Sequence, residues 1–458
     1  MRRATDGWSL KSAPSLPLTL LTVICFFLPT QLGRHFWPDW AYILGVRSDY
    51  LSPTVYLTDI LILFLLLYLM IVAFLRRLTE GVWPRIYLTP AQKAYGLLTL
   101  GIVLIGLISS LEARVPEASW WDVGKILIWS SWGGVLGWHL TKPGPRKIIL
   151  MGFLLGGLLQ ALVGLGQFAA GSSLGLWVLG ERSFSSETPG IAQAVIDGKL
   201  ILRSYGTLPH PNVLAFLMLV CSNLALFMAL RKYRYPARLF FAILTILFSL
   251  ALLTSLARLG IVLWLVSTAV IVALNLKNLH LSSRKGLKVG AVLGAILILT
   301  ALAPPLYSLF SGLVDMDAPT VAKRIELARV AVSLWLENPV SGVGLGNFVV
   351  RLGEIPSPEW VRFLQPAHNT YLLVLAEVGI IGLAFWGTLA GLALVRTYQV
   401  RMWLPALILA EVLVAGIFDH YFWTLQQGGL LWWSIIGGLF SPMVGPEVIP
   451  ARPPEPRS

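Results

Sequence analysis

Residues 54–75 read TVYLTDILILFLLLYLMIVAFL, an apolar run whose only charge is Asp59. A helix rises about 1.5 Å per residue, so about 20 such residues cross the hydrocarbon core of a bilayer. Residues 289–310 form a second run with no charge at all. Outward from these two, hydropathy predicts twelve spans, at 15–31, 54–75, 94–111, 122–140, 148–170, 208–230, 239–255, 259–276, 289–310, 368–395, 402–419 and 428–444. Glycines within the runs suit close helix packing in lipid. The expected fold class is an all-α polytopic membrane protein, with residues 1–458 forming a single transmembrane domain. The first run is followed by no A-x-A-like cleavage site and is expected to be a retained helix, not a signal peptide.

Composition agrees. The chain is 56% hydrophobic and 12% charged, with a mean hydropathy of +0.76. Soluble domains carry roughly 25% charged residues, so an ordinary soluble enzyme is excluded, as is a disordered chain. The two cysteines, Cys25 and Cys221, both sit in apolar runs, which excludes a disulfide framework or a CxxC metal site.

The net charge of +13 sorts by side of the membrane. Twelve spans put both termini on one face, taken here as cytoplasmic. The segments on that face hold 22 of the 35 basic residues and four acids, a balance of +18, leaving −5 for the rest of the chain. The positive-inside rule accounts for such a bias. No basic stretch is interleaved with stacking aromatics, so no nucleic-acid partner is expected.

Two outer connections are long, 171–207 and 311–367, and long loops in compact proteins are usually functional. Residues 321–336 have helical spacing, with Ile325, Ala328, Val332 and Leu336 on one stripe and Lys323, Arg324, Glu326 and Arg329 elsewhere. The pattern predicts an amphipathic helix at the outer membrane–water boundary, ended by Pro339 and the glycines after it.

Arginines stand out on this outer side: Arg203 before the sixth span, Arg258 at the turn between spans seven and eight, and Arg324 and Arg329 on the loop helix. A guanidinium so near hydrocarbon needs to snorkel or find an anion, and it matches phosphate oxygens bidentately. A headgroup anchor or an ion pair is the alternative for each, a weaker one for Arg258 than for Arg324 or Arg329. His368 lies where the large loop re-enters the membrane and has proton-transfer chemistry near neutral pH. His210 opens the sixth span, either as a polar site residue or as a helix-start cap with Asn212. The Gly342-Val343-Gly344-Leu345-Gly346 run lacks the flanking strand and lysine of a nucleotide loop, so a tight turn or a wall against a sugar is expected. Glu377, Glu411 and Asp419 are acids within or at the ends of spans, which makes them candidates for function or for interhelical pairing. No serine-nucleophile or metal motif appears.

Taken in order, these segments resemble the O-antigen ligase family, which includes O-antigen polymerases, over roughly residues 150 to 440. The resemblance rests on Gln160 to Gln167 with Leu179-Gly180-Glu181; Arg203-Ser204-Tyr205-Gly206-Thr207 with His210-Pro211-Asn212; and Arg258-Leu259-Gly260. It rests further on Asn338-Pro339 with the glycine run through Asn347-Phe348, on His368-Asn369-Thr370-Tyr371 with Glu377-Val378-Gly379, and on Asp419-His420-Tyr421. Ala257 stands where a serine commonly precedes the matching arginine.

The resemblance implies a membrane glycosyltransferase of twelve helices with a large helical outer loop. It would move a glycan from polyprenyl diphosphate to a lipid, glycan or protein hydroxyl at the outer face of the cytoplasmic membrane, with inversion, no metal and no cofactor. Carried onto this chain, His368 and Arg258 would be catalytic. Arg203 and Arg324 would hold the diphosphate, and His210, Asn369 and Tyr371 would complete the substrate site. Ligase, polymerase and protein O-oligosaccharyltransferase remain open, as does a transporter or flippase for a lipid-linked glycan.

Overall fold

The structure is a computed structural model that describes residues 15–81, 87–196, 198–231, 233–275, 319–355 and 364–441. The apolar runs are helices: α1 (Leu16–Phe27), α2 (Leu57–Glu80), α3 (Pro90–Ser109), α4 (Pro116–Leu140), α5 (Pro143–Ala170), α6 (Pro211–Ala229), α7 (Tyr235–Thr254) and α8 (Arg258–Asn275). Then come α9 (Pro319–Glu337), α10 (Phe348–Gly353), α11 (Thr370–Gln399), α12 (Trp403–Phe418), α13 (Tyr421–Thr424) and α14 (Gln426–Phe440). Proline opens the first turn of α1 and of α3 through α7. There its missing N–H costs nothing.

Seven of these helices are long and apolar enough to cross a membrane: α2, α3, α5, α6, α7, α8 and α11. The chain is thus a helical membrane protein. Helices overlie eleven of the twelve expected spans, and 289–310 lies outside the described residues.

Among the described residues there are three small two-stranded sheets. β1 (Gly33–His35) pairs with β4 (Thr54–Tyr56), β2 (Tyr42–Ile43) with β3 (Val46–Arg47), and β5 (Gln193–Ile196) with β6 (Lys199–Leu202), all antiparallel. The first two make residues 33–56 a folded cap that hydropathy alone passed over.

A large apolar cluster joins the spans, and a second lies under α9. This second cluster packs a different stripe of the loop helix from the one read at the membrane–water boundary. Leu327, Val330, Ala331 and Leu334 are the buried face, packed with Phe348, Leu352, Leu373 and Ala376, whereas Val332 and Leu336 are exposed. The 321–336 segment is apolar on two faces, and spacing could not say which one meets protein.

α11 is broken at Gly379, whose φ of 66° and ψ of −171° interrupt the helix. The glycine run fills the break. Val343 N donates to Ala376 O (2.9 Å), Gly344 N to Glu377 O (3.1 Å), and Ile380 N to Pro339 O (3.0 Å). Backbone groups freed within a bundle must be satisfied by neighbouring chain. A Cβ on Gly379 would stand 2.2 Å from Val340 O, and one on Gly342 would stand 2.3 Å from the Glu377 carbonyl carbon. Gly379→Ala is therefore expected to destabilise the fold by at least about 2 kcal/mol. A lowered melting temperature in detergent would register it, and an unchanged one would remove the steric argument.

Candidate active site

The polar end of the bundle centres on Asp419, which caps the C-terminus of α12. Its backbone carbonyl accepts from Thr370 N (3.1 Å) and Thr370 Oγ1 (2.8 Å), which ties it to the start of α11. Its carboxylate accepts from His420 N (2.9 Å) and from Asn212 Nδ2 (2.9 Å) at the start of α6. His368 Nδ1 is buried 3.7 Å from Asp419 Oδ1 and has no hydrogen-bond partner among the described residues. The rest of that ring is partly open, with the side chain 19% exposed. His420 Nε2 lies 3.9 Å from the same oxygen, while its Nδ1 is 2.7 Å from Thr424 Oγ1. The His368 and His420 rings are 5.3 Å apart, and Tyr50, from the 33–56 cap, meets His420 edge-on at 5.7 Å.

The arginines gather around this centre. Arg203 Nη2 donates to Asn212 Oδ1 (2.7 Å), and its Nε donates to Ser255 O (2.7 Å) in the turn that precedes Arg258. Burial chiefly, and then the nearby charges of Arg258 and Arg324, lower Arg203 to about 10, so it stays cationic at neutral pH. Arg258 is the first residue of α8 and has no acceptor among the described residues. Arg324 Nη1 lies 3.5 Å from Phe418 O, next to Asp419. Arg329, by contrast, pairs with Glu326 at 3.2 Å on the exposed side of α9.

The remaining expected residues have structural contacts. His210 is the N-cap of α6, its Nδ1 accepting from Asn212 N (3.1 Å), so the cap role is realised within the site wall. Asn369 caps α11 through Leu372 N (3.0 Å) and donates from Nδ2 to Ile417 O (3.0 Å). Tyr371 donates its hydroxyl to Leu413 O (2.6 Å) and sets its ring edge against Trp386. Both therefore lock α11 against α12, on either side of Thr370.

Gln160 and Gln167 on α5 hold the 203–207 turn. Gln167 Oε1 accepts from Tyr205 N and Gly206 N, and Gln160 Oε1 accepts from Thr207 N (2.7 Å). Glu377 accepts from Trp423 Nε1 (2.8 Å), and Glu411 accepts from Asn223 Nδ2, so both acids are interhelical partners.

Electrostatics separate the ionised groups from the neutral ones. Burial opposes ionisation of Asp419, but the His368 contact outweighs it and holds the carboxyl well below the usual carboxylate range. Burial pushes His210 and His420 down to about 3, against the pull of Asp419. A buried neutral histidine binds fewer protons than its unfolded counterpart, whose pKa is about 6.5. Stability is thus fully present above about pH 6.5 and lost as pH falls toward 3. The Asp419 carboxylate works in the same direction. The melting temperature in detergent is expected to fall steadily below pH 6.5, less so in a His210→Gln variant, and a flat profile would contradict the buried-neutral assignment.

His368, Asp419 and His420 each bring one ligand atom within 4.8 Å of the others, a spacing that a metal ion could close. Arg203, held through Asn212, acts electrostatically on Asp419, Arg258 and Arg324, so the surroundings of this cluster also suit an anion. The sequence missed the bridging role of Asn212, which only the fold brings to both Arg203 and Asp419. It also missed Tyr50, which no motif marks.

No curated relative matches the chain. A family model does match, over residues 243–387, a stretch that contains Arg258, Arg324 and His368. That model is described as O-antigen ligase, and its match supports placing the chain in the O-antigen ligase family, a membrane glycan-transferring group.

Proposed function

We propose that the protein transfers a glycan from polyprenyl diphosphate to an acceptor hydroxyl at the outer face of the cytoplasmic membrane. The observation that carries this reading is the convergence of His368, Asp419, Arg203, Arg258 and Arg324 at one end of the bundle. The opposite helix ends carry Arg76, Arg77, Arg231, Arg234 and Arg396, which the positive-inside rule assigns to the cytoplasm together with both termini. About twelve spans, with loops 171–207 and 311–367 outside, complete that topology.

In this mechanism Asp419 faces His368 Nδ1 and favours the tautomer protonated there. Nε2 then takes the proton of the acceptor hydroxyl. The acceptor oxygen attacks the anomeric carbon from the face opposite the leaving group. A C–O bond forms, the bond to diphosphate breaks, and the electron pair leaves with the phosphate oxygen, so configuration inverts. Arg203, Arg258 and Arg324 meet the charge that grows on the diphosphate, which supports a reaction with no metal. Asn369, Tyr371 and His210 position this machinery through the backbone contacts described above.

The test is reconstitution in vesicles with a synthetic polyprenyl-diphosphate glycan and a hydroxyl acceptor, in the presence of a chelator, with products read by mass spectrometry. Transfer is expected, and Arg258→Ala is expected to lower it by about 10²–10³-fold. Movement of the glycolipid across the bilayer with no new glycosidic bond would overturn the reading in favour of transport.

A further inference from the structure

The 171–207 loop is rigidly built. Glu181 is buried, and its carboxylate accepts from Leu174 N (2.7 Å), Leu176 N (2.6 Å) and Gln167 Nε2 (2.8 Å). Ser173 N donates to Phe184 O (2.9 Å), and β5 and β6 close the far end. This frame leaves a polar cleft of about 120 Å³ between Arg182, Ser183, Thr188, Gly190 and Tyr205.

Arg182 is posed rather than free. Its Nη2 donates to Pro209 O (2.8 Å), and its guanidinium lies over the Tyr205 ring at 5.7 Å. Its other N–H groups have no acceptor among the described residues, and the side chain is exposed. The cleft also adjoins the site. Pro209 precedes His210, the Tyr205 and His210 rings meet at 6.4 Å, and Tyr50 interacts electrostatically with both Arg182 and Asp419.

We infer that this cleft is a saccharide subsite that holds sugars of the transferred glycan beyond the residue undergoing reaction. The inference rests on the glycan-transfer reading above. A planar guanidinium held by stacking presents paired donors to vicinal hydroxyls or to a sugar carboxylate. Ser183 and Thr188 add hydroxyls that both donate and accept. Because the loop is already ordered, little conformational freedom is lost on binding. The cleft is lined by a single arginine with two hydroxyl side chains beside it, a set of donors and acceptors that suits a sugar. A contact made equally in ground state and transition state acts on KM and leaves kcat unchanged.

The test compares donors bearing one sugar and several sugars on polyprenyl diphosphate, with wild type, Arg182→Ala and Arg182→Lys reconstituted in vesicles. Arg182→Ala is expected to raise KM for the longer donor about 10-fold, the loss of one charge-assisted contact, with kcat unchanged and the one-sugar donor unaffected. Arg182→Lys keeps the charge but loses the fork, and is expected to fall between the two. Equal loss on both donors, or no loss on either, would overturn the subsite. A second measurement separates this inference from the transfer reading: saturation-transfer NMR of a soluble oligosaccharide that carries neither lipid nor diphosphate. Arg182-dependent binding without any transfer would sink the transfer reading and keep the subsite. Transfer without Arg182-dependent binding would do the reverse.

Discussion

His368→Ala is expected to lower kcat for glycan transfer by about 10²–10⁴-fold, the usual worth of a positioned general base. The ring is partly open, so its loss should leave the fold intact, and an unchanged melting temperature would show this. Asp419→Asn should reproduce much of the defect. An amide cannot stabilise the imidazolium that forms as the acceptor proton is taken, and it does not select the same tautomer. The two substitutions act on one unit, so the double variant should be little worse than the worse single one. A folded His368→Ala protein with wild-type kcat would remove the base from the mechanism. Full additivity would show that the 3.7 Å pair does not work together.

Lys125→Met is expected to lower stability by about 3–5 kcal/mol, because it strands the Asp59 carboxylate inside the bundle. Lys125 on α4 and Asp59 on α2 form a buried ion pair, each side chain less than a tenth exposed. Gln426, at the start of α14, completes it. Its Nε2 donates to Asp59 Oδ1 (2.7 Å) and Thr58 Oγ1 (3.0 Å), and its Oε1 accepts from Lys125 Nζ (3.0 Å) and Trp129 Nε1 (3.1 Å). The Lys125 ammonium also lies 4.8 Å from the centre of the Tyr56 ring. Removing both charges together, as in Asp59→Asn with Lys125→Met, should recover most of the loss, since no isolated charge then remains buried.

The consequence reaches the site. The short stretch from Asp419 to Gln427 is pinned at Trp423 by Glu377, at Gln426 by the ion pair, and at Gln427 by Thr30 O (2.8 Å). Lys125→Met should therefore weaken transfer as well as stability. Equilibrium unfolding in mixed detergent and the vesicle assay read the two effects separately. Unchanged unfolding would show that the pair is dispensable.

Much of this was legible from the chain alone. A charge inside an apolar run demands a partner, and Asp59 in the clearest span finds one inside the bundle. What it paired with was not legible: Lys125 lies 66 positions away and Gln426 lies 367 positions away. The acids read as candidates divided in the same manner. Glu377 and Glu411 turned out to serve neighbouring helices, whereas Asp419 faces His368. On α9 the helix was legible but its buried face was not, because both stripes are apolar and only the neighbours α10 and α11 choose between them.

The amino-acid order by itself determined that this is a helical membrane protein, where most of its helices begin, and which residues carry unusual charge near hydrocarbon. These are local matters: a backbone in lipid must satisfy its own hydrogen bonds, and an apolar run about 20 residues long does so as a helix. Tertiary structure alone decided that Asn212 joins Arg203 to Asp419, that Tyr50 and Arg182 reach the same wall, and that the glycine run mends the break in α11. Each of these contacts lies between segments far apart in the chain, and only packing of the whole bundle brings such segments within hydrogen-bond reach.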